Sequence, residues 1–229
     1  MKSIKIGKKI ISQNSKCLVV AEISANHGSN LDSAKKLIKL AARAGVDAVK
    51  IQTYKPETIT LNSSKKDFLI DKRSPWSKKK NFWSLYKKGH TPWEWHKKLF
   101  DEAKKNKIEI FSSPFDESAV DLLESFDVPA YKVSSFELID LPLINYIAKK
   151  NKPILMSTGM ASLNEISEAI ETAKICGCNN IVIFHCISGY PTPVEQANLN
   201  GIKLLKKEFD VLVGLSDPVS YTHLRAHET

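Results

Sequence analysis

The stretch Pro153-Ile-Leu-Met-Ser-Thr-Gly159 is a short apolar run that ends in residues able to take part in chemistry. Six further apolar runs along the chain end in the same way, in polar side chains that can bind or react. Serial runs of this kind are the sequence form of a (β/α) barrel, in which the carboxyl ends of the strands converge on one site. The six further runs are residues 18–27, 46–52, 108–113, 130–137, 181–186 and 211–217.

Amphipathic stretches separate most of these runs. Residues 30–43 carry apolar side chains at helical spacing, and Gly45 follows as a stop signal. Strand and helix therefore alternate, which predicts an α/β fold with a parallel sheet, a TIM (β/α)8-type barrel. A doubly wound sheet would favour a Gly-rich phosphate turn after the first strand, and the stretch Ser24-Ala-Asn-His-Gly28 lacks that pattern. Further helices are predicted at residues 91–105, 117–126, 141–150, 163–176 and 195–208.

Length and composition set the next bounds. The 229 residues are slightly few for a barrel, which typically takes roughly 250, so we expect a missing piece. No apolar run approaches the ~20 residues of a membrane span, and the stretch Met1-Lys-Ser-Ile-Lys5 lacks the apolar core of a secretory signal. We therefore expect a cytoplasmic protein with no membrane partner.

The charge is strongly basic, with a net value of +9 at pH 7. Lysine runs of this kind are typical of solvated helix faces, and their field would also attract an anionic substrate. No nucleic-acid recognition motif accompanies the charge, so nucleic acid is not a predicted partner. The cysteines form neither a disulfide framework nor a zinc pair; they are Cys17, Cys176, Cys178 and Cys186.

One long segment interrupts the alternation of strands and helices: residues 54–90 separate the second predicted strand from the second predicted helix. A long βα loop on the catalytic face of a barrel is usually a lid or a substrate wall. The alternative is a disordered insertion, but the segment keeps several aromatic residues, which disordered segments lack.

The strand ends carry the candidate chemistry. Glu22 and Lys50 follow the first two predicted strands, and Lys132 lies on the fourth. A carboxylate can act as a general base, whereas a lysine can bind an anion or form a Schiff base. Two lysines with a ring of hydroxyl groups suit a carboxylate and a phosphate. The hydroxyl groups belong to Ser112, Ser113, Ser134, Ser135, Ser157, Thr158, Ser188, Tyr190 and Ser216.

Seven motifs lie in order between roughly residues 15 and 217: Ala21-Glu-Ile-Ser-Ala-Asn-His27, Val49-Lys-Ile-Gln-Thr53, Ser112-Ser-Pro-Phe-Asp116, Tyr131-Lys-Val-Ser-Ser-Phe-Glu137, Ser157-Thr-Gly-Met160, Cys186-Ile-Ser-Gly-Tyr-Pro-Thr-Pro193 and Gly214-Leu-Ser-Asp217. Together they resemble the sialic acid synthase family. Three stretches look more like its pseudaminic acid synthase branch: Ser24-Ala-Asn-His27, Thr91-Pro-Trp-Glu-Trp-His96 and Ser134-Ser-Phe-Glu137.

The resemblance implies a reaction and roles for particular residues. C3 of phosphoenolpyruvate would attack the aldehyde of an open-chain N-acetylated amino sugar, and phosphate would leave, without a Schiff base. Glu22 would be the general base or proton carrier. Glu22, Lys50 and Lys132 are thus the predicted catalytic residues. Phosphoenolpyruvate would be held by Lys50, Ser113, Lys132, Ser135, Ser157, Ser188 and Ser216, and the sugar would contact Gln52, Glu137 and Tyr190. His27 is interpreted as a hydrogen-bond partner behind the site, and His185 as a buried histidine.

The sequence departs from the family at its carboxyl end. The resemblance implies a divalent cation, Mn2+ or Mg2+, held by two histidines, but Pro218 occupies the first position and the second lies beyond Thr229. No metal ligand is therefore assigned. We expect residues 1–217 to be an incomplete synthase barrel and residues 218–229 to be a foreign or disordered tail. The family's C-terminal antifreeze-like domain would be missing, and we expect this chain to be inactive. The resemblance implies a homodimer for the full-length family.

Three alternatives remain open. Another phosphoenolpyruvate-dependent keto-sugar synthase would need a basic site for a sugar phosphate, and none of the three arginines lies at a strand end. A Schiff-base lyase would use Lys50 or Lys132 as its amine. A non-catalytic sugar-binding remnant would explain the loss of both metal histidines, but it would have no need of Glu22. The arginines are Arg43, Arg73 and Arg225.

Overall fold

The computed structural model describes residues 2–72, 74, 76–78, 80–189 and 192–217. The strands are β1 (Ser3–Ile6), β2 (Lys9–Ser12), β3 (Val20–Glu22), β4 (Ala48–Thr53), β5 (Glu109–Pro114), β6 (Tyr131–Val133), β7 (Ile154–Ser157), β8 (Ile181–Cys186) and β9 (Leu212–Ser216). The α-helices are α1 (Leu31–Arg43), α2 (Pro56–Ile59), α3 (Phe82–Gly89), α4 (His96–Lys105), α5 (Glu117–Glu124), α6 (Leu141–Ala148), α7 (Leu163–Ile175) and α8 (Asn200–Glu208).

The parallel sheet has the predicted alternation of strands and helices. Strands β3 to β9 belong to one sheet, in the order in which they occur in the chain, and β1 pairs with β2 in a separate small sheet. Each of the seven predicted strands is confirmed by a strand that overlaps its apolar run. Because all seven run parallel and helices connect most of them, the polar residues after the runs gather at strand carboxyl ends.

The chain forms two compact units, and β6 lies at their division. The first unit, Lys5–Tyr131, has a core between β3–β5 and the helices α1 and α4. The second unit contains residues 2–4 and 132–217 of the described chain, with its own apolar core. Buried side chains of the first core include Ile38, Val49, Ile51, Leu99 and Ile110. Those of the second include Val133, Ile144, Ile147, Leu155, Ile170 and Ile183.

Helix caps fix the turns that follow the strands. The Asn30 side chain accepts a hydrogen bond from Ser33 N at the start of α1, and Asp116 caps α5 in the same manner. Ser162 and Glu165 form a capping box at the start of α7, each side chain bonded to the other's backbone N–H. Such caps satisfy backbone donors that a helix leaves unpaired.

The helix predicted from Thr91 begins later than expected. A short 3-10 turn occupies Trp93–Trp95, and α4 starts at His96. The Thr91 hydroxyl lies 3.4 Å from His27 Nε2 and does not cap the helix. Residue 195 likewise falls in a 3-10 turn, and α8 starts only at Asn200. The strands β1 and β2 and the helices α2 and α3 were not predicted from the sequence.

The segment 54–90 is folded over its described residues, which contradicts the alternative of a disordered insertion. It contains α2 and α3, and the ring of Tyr54 meets those of Tyr86 and Phe115 edge-on, with centroids 5.9 and 5.4 Å apart. The Ser29 hydroxyl donates to Lys88 O over 2.6 Å and joins the segment to the loop after β3. Its role as a lid or substrate wall stays a prediction.

Within the described part of the chain, no helix combines the length and the apolar character needed to cross a bilayer.

Candidate active site

The alternation of side chains along β4 separates a polar face from an apolar one. Val49 and Ile51 are buried in the core against the helices, whereas Lys50 and Gln52 are only half-buried. Successive residues of a strand point to opposite faces of a sheet. Lys50 and Gln52 therefore lie on the face that the helices do not cover.

A first cluster of charged and hydroxyl groups, here called the Lys50 cluster, consists of Glu22, Ser24, Lys50 and Ser113. Lys50 Nζ lies 2.7 Å from Glu22 Oε2 and donates to Ser113 Oγ over 3.2 Å. The pairing of β3 with β4 sets Glu22 opposite Lys50, and the pairing of β4 with β5 sets Gln52 opposite Ser113. The register of three strands thus brings together side chains that are far apart in sequence.

Ser24 is a member of this cluster that sequence reasoning did not select, although it stood in a quoted motif. Its backbone N–H and its hydroxyl both donate to Glu22 Oε1, over 3.0 and 2.8 Å. Ser24 has a φ of +42°, a conformation that a non-glycine residue rarely adopts. The turn therefore holds the Glu22 carboxylate between Ser24 and the Lys50 ammonium. Only the fold could identify this contact, because the sequence does not reveal the turn.

The Lys50 cluster is partly shielded from water but still open enough for a ligand to reach it. The Lys50 side chain is 12% exposed and that of Glu22 is 43% exposed. Hydrogen bonds and ion pairs strengthen as water is excluded. The ammonium and the Ser113 hydroxyl can donate to an anionic oxygen, and the more exposed carboxylate can take or give a proton.

A second cluster, here called the Lys132 cluster, consists of Lys132, Ser135, Ser157 and Ser188. These residues lie at or just after the ends of β6, β7 and β8. Lys132 is only 7% exposed, and its Nζ donates to Ser157 Oγ over 2.5 Å and to Val133 O over 2.8 Å. The same nitrogen lies 5.4 Å from the centre of the Phe184 ring. A buried ammonium requires such oxygen and ring partners to offset its lost hydration.

Gly159 makes room for two further serines of the Lys132 cluster. A Cβ at this position would lie 2.4 Å from Ser188 Oγ and 3.0 Å from Ser135 Oγ. The backbone N–H of Gly159 donates to Ser135 Oγ over 3.2 Å. The absence of a side chain at residue 159 is therefore what lets both hydroxyl groups approach the end of β7.

Glu137 lies in the 3-10 turn Phe136–Ile139, directly after β6. Burial raises the pKa of this carboxyl group, although the Ser134 hydroxyl, which donates to Oε2, and the Lys132 charge both oppose the rise. A carboxyl group with a raised pKa at a strand end is a candidate for binding or proton transfer.

The remaining predicted residues lie as follows. Ser216 is half-buried at the end of β9, where it pairs in register with Cys186 of β8. Tyr190 lies outside the described residues, as do Pro218 and the rest of the 218–229 tail. The structure thus gathers Glu22, Lys50 and Ser113 in one unit, and Lys132, Ser135, Ser157 and Ser188 in the other.

His27 and His185, the two histidines interpreted from the sequence, are both buried and hydrogen-bonded. His27 is buried, accepts a hydrogen bond from Ser29 N at Nδ1 over 3.1 Å, and has Nε2 near the Thr91 hydroxyl. Burial lowers the pKa of His27, and the nearby His90 lowers it further. His185 is buried and donates from Nε2 to Ala197 O over 2.9 Å, which confirms its interpretation as a buried, hydrogen-bonded histidine.

A bound cation would need several ligating side chains close together. Within residues that the structure describes, no group of three or more His, Cys, Asp or Glu side chains is placed to hold a metal ion. Glu22 is already engaged by Lys50 and Ser24. Pro218, which occupies the first histidine position that the resemblance implies, lies outside the described residues.

Similarity to known proteins identifies relatives of defined activity. A pseudaminic acid synthase of Campylobacter jejuni is 46% identical over 202 residues, which cover 88% of this chain and 58% of that protein. The pseudaminic acid synthase of Helicobacter pylori is 43% identical over 199 residues, covering 87% of this chain and 58% of that protein. The chain thus spans less than two thirds of the length of these curated relatives.

Solved structures agree with the sequence relationship. A sialic acid synthetase from Leptospira borgpetersenii superposes with a TM-score of 0.85 at 26% identity, covering 97% of this chain and 72% of that one. A truncated 3-deoxy-D-arabino-heptulosonate 7-phosphate synthase from Thermotoga maritima has a TM-score of 0.65 at 12% identity, covering 93% and 68%. The second likeness supports the fold alone, and together they confirm the predicted barrel-type fold class.

A model of the NeuB family matches residues 37–225, which is most of the chain. The resemblance to sialic and pseudaminic acid synthases predicted from the motifs is therefore confirmed, and the chain belongs to the NeuB family.

Proposed function

We propose that this chain is the catalytic barrel of a nonulosonic acid synthase that joins phosphoenolpyruvate to an open-chain N-acetylated amino sugar. The observation that carries the proposal is the pair of lysine–serine contacts at strand carboxyl ends, Lys50–Ser113 and Lys132–Ser157. Pseudaminic acid synthases at 46% and 43% identity support an acceptor sugar of that type. The proposal concerns the whole protein, because this chain covers only 58% of the length of each of these two relatives.

The proposed reaction balances as follows. C3 of phosphoenolpyruvate attacks the aldehyde carbon of the sugar, forming a C–C bond, and the aldehyde oxygen takes up a proton to become a hydroxyl. Water adds to the oxocarbenium carbon C2 and loses a proton. The bond from C2 to the phosphate oxygen then breaks, giving a 2-keto acid and inorganic phosphate. No Schiff base is formed, so the lysines bind charge and do not act as nucleophiles.

The Lys50 cluster supplies anion binding and proton transfer in this proposal. The Lys50 ammonium and the Ser113 hydroxyl donate to an anionic oxygen of phosphoenolpyruvate. Glu22, held by Ser24 and still 43% exposed, carries the proton exchanged during the reaction.

The Lys132 cluster supplies further anion binding. Lys132 and Ser157 are already in contact, and Ser135 and Ser188 approach the same strand end beside Gly159. Preorganised donors of this kind need no rearrangement when charge arrives. Ser216 is proposed to contact phosphoenolpyruvate, whereas Glu137 together with Gln52 and Tyr190 is proposed to contact the sugar. The cytoplasmic location, the homodimer, the dependence of the whole protein on Mn2+ or Mg2+, and the foreign origin of the 218–229 tail stay predictions.

The test is calorimetric titration of the 229-residue chain with phosphoenolpyruvate, followed by an assay of phosphate release with N-acetylated amino sugars. Lys50→Met and Lys132→Met should each weaken binding at least about tenfold, because each removes a charged hydrogen-bond donor. The matched controls Lys36→Met and Lys203→Met, at exposed positions of α1 and α8, should bind normally.

Three outcomes would contradict the proposal in different ways. Absence of phosphoenolpyruvate binding by the unchanged chain would overturn it outright. Binding without phosphate release, both by this chain and by a protein of the full length of its relatives, would identify a non-catalytic remnant. A covalent adduct trapped by borohydride with pyruvate would identify a Schiff-base lyase instead.

A further inference from the structure

A chain of three buried polar side chains lies on the helix-covered side of β4 and β5. Thr53 Oγ1 lies 2.8 Å from His96 Nε2 and 2.6 Å from Ser112 Oγ. All three side chains are fully buried, His96 at the start of α4 and the other two on the strands. Ile51, on the same face of β4 as Thr53, is part of the apolar core.

The contacts assign the ring tautomer of His96. His96 Nδ1 lies 3.3 Å from Pro92 O, an acceptor, so Nδ1 carries the hydrogen. Nε2 is then the acceptor for the Thr53 hydroxyl. The Ser112 hydroxyl has three acceptors within reach: Thr53 Oγ1, Ile51 O at 3.1 Å and Ser113 O at 3.4 Å. Burial lowers the pKa of His96 to about 4, so the ring is neutral at pH 7, as this arrangement requires.

The polar chain adjoins residues of the Lys50 cluster through the backbone. Thr53 follows Gln52, and Ser112 precedes Ser113, so each pair consists of neighbours that point to opposite faces of the sheet. Gln52 is also paired with Ser113 in the β4–β5 register. A contact that fixes Thr53 and Ser112 from the helix side therefore fixes the backbone that carries Gln52 and Ser113.

We propose that His96 is a positioning residue that, through Thr53 and Ser112, holds the carboxyl ends of β4 and β5 in the geometry that joins Lys50 to Ser113. Apolar side chains would fill the same layer without any cost of desolvation. The polar chain instead favours this arrangement of the strand ends, because loss of the Thr53–His96 contact would leave the buried Nε2 without its hydrogen-bond partner. The consequence for phosphoenolpyruvate rests on the proposed function, but the effect on the strand ends does not.

The test compares three variants of the full 229-residue chain. His96→Leu removes both ring nitrogens, whereas His96→Gln restores an acceptor that can reach the Thr53 hydroxyl. Leu99→Ala, in the same helix, is the matched control, because it removes buried packing without touching the polar chain. Phosphoenolpyruvate affinity by calorimetry, amide hydrogen exchange at Gln52 and Ser113, and the ring tautomer by 15N NMR are measured at equal folded fraction.

We expect His96→Leu to weaken phosphoenolpyruvate binding about tenfold and to speed exchange at Gln52 and Ser113 by a similar factor. His96→Gln should recover most of both effects, and Leu99→Ala should lower stability while leaving both readouts near those of the unchanged chain. In the unchanged chain, Nδ1 of His96 should carry the hydrogen.

Equal losses in His96→Leu and Leu99→Ala would overturn the inference and leave His96 as ordinary core packing. A tautomer with the hydrogen on Nε2 would also overturn it. If the unchanged chain binds no phosphoenolpyruvate, the proposed function fails, while exchange and tautomer still decide the role of His96.

Discussion

Lys50 and Lys132 show how one residue type is accommodated in two ways. Lys50 has a carboxylate partner, Glu22, at 2.7 Å, whereas the more deeply buried Lys132 is bonded to the Ser157 hydroxyl and the Val133 carbonyl. Either arrangement keeps an ammonium at a strand end, where removal of a partner would leave a buried charge uncompensated. Each lysine is therefore oriented by the contacts within its own unit.

His96 gives the stability of the fold a pH dependence of defined sign. Its pKa is about 4 in the folded chain, mainly because of burial, and 6.5 when the ring is unperturbed. The unfolded chain therefore binds the extra proton first as pH falls, and stability is lost between pH 6.5 and 4. From pH 7 to pH 5 we expect the free energy of unfolding to fall by about 2 kcal/mol from this group.

Urea denaturation at both pH values measures this effect, with His96→Gln as the comparison because it removes the titrating ring. The lowered pKa of His27 acts in the same direction, so some dependence should persist in the variant. An unchanged difference between pH 7 and pH 5 in His96→Gln would contradict the assignment to His96.

The elements that local pattern determines were predicted correctly, and those that depend on tertiary contacts were not. All seven sheet strands followed from apolar runs, because burial in a parallel sheet imposes that composition. The start of α4 was wrong because Thr91, a good capping residue, lies against His27 instead. Ser24 and His96 were missed as site residues for the same reason, since their partners are set by a turn and by strand register.

The start of α7 offers a test at the scale of an element. The Ser162 side chain accepts from Glu165 N over 3.3 Å and donates to Glu165 Oε2 over 2.8 Å, and this helix follows the Gly159 turn. Ser162→Ala should lower the free energy of unfolding by about 1 kcal/mol, because it leaves a helix N–H without its cap. Ser162→Asp should retain most of the stability, since aspartate also caps helices.

Urea denaturation, followed by NMR signals from the second unit, would measure the free energy of unfolding of both variants. Equal stability of Ser162→Ala and the unchanged chain would mean that water caps α7 as well as the serine does.

At the scale of the whole molecule, each compact unit carries its own lysine cluster, and the sequence predicted the lysines and serines of both except Ser24. The motifs sufficed because parallel strands place their carboxyl ends on one edge of a sheet. What the motifs could not supply was the pairing of groups, such as Lys50 with Glu22, which depends on the register of β3 and β4.

The net charge of +9 at pH 7 gives a last expectation for the whole molecule. A basic protein attracts a trianionic substrate over distances comparable to the Debye length, about 10 Å at 0.1 M salt and about 3 Å at 1 M. The association rate constant for phosphoenolpyruvate, measured by stopped-flow, should therefore fall about tenfold between low and high salt, while the dissociation rate changes less. An uncharged N-acetylated amino sugar is the control, and its association should be insensitive to salt. A salt-independent rate for phosphoenolpyruvate would mean that the lysine runs act only as solvated helix faces and that the local contacts of Lys50 and Lys132 alone recruit the anion.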